Sequence, residues 1–177
     1  MNHFLRKYRK FVSMRNREKV WVILLFFLSG IARAVILTIP FRYIAPYLGR
    51  HYQNAQLAVI VTKEQLQKAR RIGHITELTA NNTPWQSKCL IQAMMAKWLL
   101  NYYRIPYVLY LGVAKSVVLH ELKDYENGDL IAHAWLSVGP SIITGDDGHR
   151  AFTIVSTFVT PSVLNSEFSK RQSPHAI

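Results

Sequence analysis

The sequence predicts an α+β fold, with helices first and an antiparallel sheet after them. Three observations predict it. Thr62 with Gln65, and Thr83 with Gln86, form capping boxes ahead of apolar residues at helical spacing. Arg104-Ile105-Pro106 then breaks the second helical stretch. Beyond that break the apolar character becomes strand-like, beginning with the continuous run Tyr107–Val113, as expected of a strand covered on both faces. At 177 residues, half of them apolar and 18% charged, the chain makes one domain, or one domain with an appendage, around a sizeable core.

The elements follow in chain order. Seven Lys/Arg from Arg6 to Lys19 precede the apolar run Val20–Ala32, and after Arg33 the apolar run resumes from Ala34 to Pro40. Val20–Ala32 alone is shorter than a bilayer core of about 30 Å, and a spanning helix must bury Arg33. Three readings stay open for this stretch: a secretory signal cut at Ala32-Arg33-Ala34, a helix lying on an anionic membrane surface, and a helix packed on the core or on a partner. Pro40 and Pro46 bracket one or two further helical turns within Phe41–Leu48, and Gly49–Asn54 reads as a linker. Leu66, Ala69 and Ile72 give the helix Thr62–Thr79 its apolar face. Thr83-Pro84 opens the next helix, which runs to about Tyr103. Lys115–Leu122, Ile131–Val138, Ser141–Thr144 and Phe152–Phe158 are the remaining strand candidates, with Asp124–Asp129 as a turn and the polar tail from Ser162 as a loose end. The organisation is therefore a basic, apolar helical segment over residues 1–49, a folded domain over 50–161 and a polar tail over 162–177.

Composition excludes several functions. The formal net charge is +12, but residues 1–50 hold ten Lys/Arg against one Asp/Glu, so the remainder is nearly neutral. A nucleic-acid binder would spread that charge over its folded part, so no nucleic-acid partner is expected. One cysteine excludes a disulfide framework and a multi-cysteine zinc cage, and suits a reducing cytoplasm.

That cysteine, Cys89, falls within the first two turns of a helix, where the macrodipole and unsatisfied N–H groups favour a thiolate. His133 differs from the other six histidines, which sit in polar or terminal stretches: it lies in the apolar strand Ile131–Leu136, as an interior ring or a base. If Gly139-Pro140 is a two-residue turn, Val138 faces Ser141 and His133 faces Asp146 across the hairpin. A one-residue longer turn substitutes Asp147. A thiolate, an imidazole and a carboxylate in this order are the parts of an activated nucleophile. Trp85 reads as an aromatic anchor, and Trp85 or Gln86 as an additional oxyanion donor or site wall.

Trp85-x-x-x-Cys89-Leu90, Arg104-Ile105-Pro106, Leu109-x-Leu111-Gly112-Val113 and Ala132-His133-Ala134-Trp135 resemble the transglutaminase-like B2 proteins of lasso peptide biosynthesis. The stretch from Lys19 to Pro40-Phe41 fits them too, so the resemblance spans roughly residues 5–160. It implies a transglutaminase-like, papain-like cysteine protease core and a leader peptidase that frees the core of a ribosomally made precursor before a cyclase closes the ring. It further implies Cys89 as nucleophile, His133 as base, Asp146 as third member with Asp147 as the alternative, and no cofactor or metal. The first 60 residues are unlike the leader-recognition domain fused to some members. A separate small recognition protein is therefore an expected partner, beside the precursor leader, the cyclase and an anionic membrane surface contacted through residues 4–40. The expected location is cytoplasmic, or peripheral at the inner face of the membrane. The same three residues also suit an acyl transferase of transglutaminase or N-acetyltransferase type. In a noncatalytic membrane-associated scaffold, by contrast, Cys89 and His133 would be core fillers.

Overall fold

The computed structural model describes residues 16–85, 88–115 and 130–160. Helix α1 (Asn16–Thr38) is followed by the single turn α2 (Phe41–Ile44) and a 3₁₀ turn (Ala45–Leu48). After strand β1 (Arg50–Tyr52) come α3 (Lys63–Ala80) and α4 (Cys89–Tyr102), then β2 (Val108–Lys115), β3 (Leu130–Val138), β4 (Ser141–Thr144), a 3₁₀ turn (His149–Ala151) and β5 (Thr153–Val159). The strands form one antiparallel sheet in the order β1-β5-β2-β3-β4. This is the expected α+β arrangement. The expected linker Gly49–Asn54 instead supplies β1, an edge strand held by β5 from Arg50↔Val159 to Tyr52↔Thr157. Of the candidate Lys115–Leu122, only Lys115 lies among the described residues, as the end of β2; the rest, the turn 124–129 and the tail from 161 lie outside them.

The capping box at α3 forms as read, with Gln65 N–H donating to Thr62 Oγ1 at 3.2 Å and Thr62 N–H donating to Gln65 Oε1 at 3.0 Å. The second box does not open a helix at Thr83. Helix α4 starts at Cys89, and the Thr83 hydroxyl lies 2.9 Å from the Ala80 and Trp85 carbonyls. Thr83 thus turns its hydroxyl back on the end of α3. At the other end of α4, Arg104 takes the left-handed conformation (φ 53) and the Ile105 N–H reaches back to the Leu100 carbonyl at 2.9 Å. This closing turn ends the helix at the predicted break and buries Ile105.

Strand β2 is central, paired with β3 and β5, and packing on both faces of the sheet covers it. One face carries the main core, where Leu109, Leu136 and Phe158 meet Ala93, Leu99 and Leu100 of α4 and Ala69 and Ile72 of α3. The other face packs Val108, Tyr110 and Trp135 under Leu57, Val59 and Val61 of the extended segment after β1. That segment is tied down by Tyr110 and Thr157, whose hydroxyls donate to the Leu57 and Ala55 carbonyls.

Helix α1 belongs to the same core. Leu25 and Ala32 are buried against the α3–α4 cluster, and the Trp21 indole N–H donates to the Tyr103 hydroxyl at 2.9 Å. Trp21 also packs edge-on against Trp98, Tyr102 and Tyr103. By length and composition α1 could also cross a membrane, though its inner face is committed to the protein. Leu25 is fully buried, so Leu25→Ala is expected to cost roughly 2–5 kcal/mol in urea unfolding of the full chain. A loss within the roughly 0.5 kcal/mol typical of surface substitutions would detach α1 from the core.

Candidate functional site

Cys89 is the first residue of α4, nearer the positive end of the helix than the sequence suggested. Its partner comes from β3. Side-chain hydrogen bonding joins Cys89 to His133, and the sulfur also receives the backbone N–H groups of Ala134 and Leu90. His133 is half-buried, its ring 4.9 Å from Phe152 and stacked 5.9 Å from Trp135 between centroids. Gly112, opposite His133 on β2, leaves the space that Trp135 and Phe152 fill: a Cβ there would lie 2.8 Å from the indole. The glycine of the Leu-Gly-Val element thus has a packing reason.

The ring's orientation is set by its other nitrogen. Nε2 lies 2.9 Å from the Gly145 carbonyl oxygen. A carbonyl only accepts, so Nε2 carries the proton and Nδ1 is left for the sulfur. This departs from the expected Asp146 contact. The hairpin starts in the expected register, with Val138↔Ser141 and Ser137↔Ile142, but a bulge shifts it to Leu136↔Thr144. β4 then ends, and Gly145, in the left-handed conformation (φ 75), bends the chain so that its carbonyl meets the imidazole. Asp146 turns away: its side chain is 77% exposed and lies 3.3 Å from His149 Nδ1. Asp147, the alternative, is the carboxylate whose charge acts on His133. Gly145 was not among the expected site residues. Its only trace in the sequence is a glycine directly before two aspartates at a strand end.

The two titrating groups shift together. Burial pushes the Cys89 thiol up, but hydrogen bonds from His133 and Ala134, the His133 charge and the Leu90 N–H outweigh it and leave the thiol below its ordinary value. Burial pulls His133 down, but Cys89, the Gly145 carbonyl and the Asp147 charge outweigh it and hold the imidazole above its ordinary value. Both directions favour a thiolate–imidazolium pair near neutral pH.

The pair lines a cleft of about 560 Å³, mostly apolar. Leu111, Val113 and Val155 of the sheet form one side, while Ile36 and Leu37 of α1 and Phe41 of α2 form another, with Arg33 and Lys88 also on its walls. The N-terminal segment therefore contributes to the site. Trp85 does not line this cleft. Its indole N–H donates to Ser29 Oγ at 3.1 Å and its ring packs 5.2 Å from Phe26, so it anchors α1 rather than presenting an oxyanion donor. Gln86 lies outside the described residues.

The sequence signature of the transglutaminase-like superfamily matches residues 35–157. No curated protein and no solved structure matches the chain.

Iodoacetamide labelling checks the charged pair. Cys89 is expected to reach half-maximal reactivity below the free-thiol pKa of about 8.5. In His133→Ala, burial acts with its main opponent removed, so that midpoint moves upward; an unmoved midpoint would contradict the pairing.

Proposed function

The chain belongs to the transglutaminase-like superfamily, which includes cysteine peptidases and acyltransferases, and on that premise we propose that it is a cysteine peptidase removing the leader from a ribosomally made lasso peptide precursor. The observation that carries peptidase chemistry is the Cys89–His133 contact in an apolar cleft, with both groups shifted toward the ion pair. The lasso precursor as substrate rests on the Trp-x-x-x-Cys-Leu and Ala-His-Ala-Trp elements described above.

In the proposed reaction the Cys89 thiolate attacks the carbonyl of the last leader residue. Charge develops on that oxygen at the head of α4, where the first N–H groups of a helix lack intrahelical acceptors and the dipole is positive. Collapse breaks the C–N bond, and the His133 imidazolium gives its Nδ1 proton to the leaving amine, the new N-terminus of the core. The neutral imidazole then takes a proton from water, whose oxygen attacks the thioester. The leader leaves as a carboxylate and the thiolate–imidazolium pair returns. Throughout, the Gly145 carbonyl holds Nε2–H and so fixes the tautomer, while Asp147 adds favourable charge to the imidazolium. The separate recognition protein, the cyclase and a cytoplasmic setting belong to this proposal.

Incubation with the precursor encoded beside the protein, with and without a small recognition protein, tests it by mass spectrometry. Release of an intact leader is expected, and Cys89→Ala should slow it by at least about 10⁴-fold. Transfer of the leader to an added primary amine with no hydrolysis would favour the acyltransferase reading; turnover unaffected by Cys89→Ala would favour the scaffold. A bell-shaped pH dependence of kcat/KM is expected, rising as the thiol ionises and falling as the imidazolium loses its proton. Asp147→Asn lowers the falling limb, because a favourable charge is removed, and costs less than about fivefold at its optimum, as exposed ion pairs do. Asp146→Asn leaves the profile in place.

A further inference from the structure

We infer that the outward face of α1 lies in the surface of an anionic phospholipid bilayer. Helix α1 is apolar on both sides. Trp21, Leu25, Ser29 and Ala32 point into the protein. Val20, Ile23, Leu24, Phe27 and Ile31 recur on the opposite side, and at 60%, 52%, 39%, 64% and 60% exposure they remain largely uncovered. The spacing makes one continuous stripe along about three turns. A stripe of this kind on a folded surface marks an interaction site.

Charge identifies the occupant. Arg6, Lys7, Arg9, Lys10, Arg15, Arg17 and Lys19 precede the stripe, with Glu18 the single acid among residues 1–50. Cations placed just before an uninterrupted apolar face match a surface that is negative outside and hydrocarbon beneath. The described residues after α1 continue the pattern: Phe41, Tyr43 and Tyr47 are exposed, and Arg42 sits 4.8 Å from the Tyr43 ring centroid. Tyrosine, apolar with a polar tip, suits a headgroup layer. The inner-face contacts decide how the helix lies. A spanning α1 would have to give up the Trp21–Tyr103 and Ser29–Trp85 hydrogen bonds and expose Leu25. The helix therefore lies in the plane of the surface, with the folded domain on its other side. Ile36, Leu37 and Phe41 carry the same segment into the cleft wall, so the Cys89 cleft is held close to the lipid.

Vesicle sedimentation of the purified full-length chain tests this without reference to peptidase activity. Vesicles containing phosphatidylglycerol should bind the chain, and neutral phosphatidylcholine vesicles should bind it at least about tenfold more weakly. Raising the salt should release it, because exposed charges are screened. Ile23→Glu, Phe27→Glu and Ile31→Glu combined should abolish vesicle binding, while Cys89 labelling by iodoacetamide remains as in the parent, showing that the fold is intact. Binding unchanged by the triple substitution, equal binding to neutral vesicles, or no binding at all would overturn the inference. So would a dimer, or a complex with the leader-recognition protein, that the triple substitution breaks while vesicle binding stays absent.

Discussion

The contact between the first turn of α4 and strand β3 is the constraint on which the rest depends. A helix can lower a thiol's pKa only within its first turn, and an imidazole can pair with the sulfur only if its strand runs past that turn. Both conditions are met because the two elements are locked independently. Helix α4 is held by its buried face and by the left-handed closing turn at Arg104. Strand β3 is held by eight consecutive pairs with β2. Ala134, small and buried between them, adds its own N–H to the sulfur. A slip of one residue in either element would turn the sulfur or the ring to another side.

Burial and pairing oppose each other at this contact. Each charge alone would be penalised by its partial removal from water, and for each the partner together with the neighbouring backbone groups outweighs that penalty. The histidine's second nitrogen meets a neutral backbone carbonyl rather than a carboxylate. That acceptor fixes the tautomer and its hydrogen bond favours the imidazolium, but it brings no full charge; the charges that favour the imidazolium are the thiolate and, more weakly, Asp147. The bulge in β4 and the turn at Gly145 are what substitute one acceptor for the other.

Helix α1 joins the two sides of the molecule. Ser29, buried in the middle of an apolar helix, donates to the Phe26 carbonyl and accepts the Trp85 indole, so the segment leading to Cys89 is tied to α1. Farther along, α1 and α2 supply apolar cleft wall. Trp85, four positions before Cys89, thus helps place the wall of the cleft without lining it.

Much of the fold was legible along the chain because it is set by local rules: the Thr62–Gln65 box, the break at Arg104-Ile105-Pro106, the doubly covered run Tyr107–Val113, and the two-residue turn at Gly139-Pro140 all act within a few residues. Cys89 and His133 stood out for the same reason, as a lone thiol near a helix start and a histidine in an apolar strand. The start of α4 was misplaced because Thr83 lies between two helices and local spacing does not say which one it serves; its hydroxyl meets the Ala80 carbonyl at the end of α3. Asp146 was misplaced because pairing arithmetic assumes an unbroken ladder, and a bulge two pairs beyond the turn cancels it. The sequence by itself thus determined the fold class, the thiol and the imidazole that meet, and the asymmetry of charge. Only the tertiary structure decided that Gly145 holds the imidazole, that α1 walls the cleft, and which side of α1 stays bare, since each depends on residues brought together from distant parts of the chain, and local spacing carries no information about such meetings.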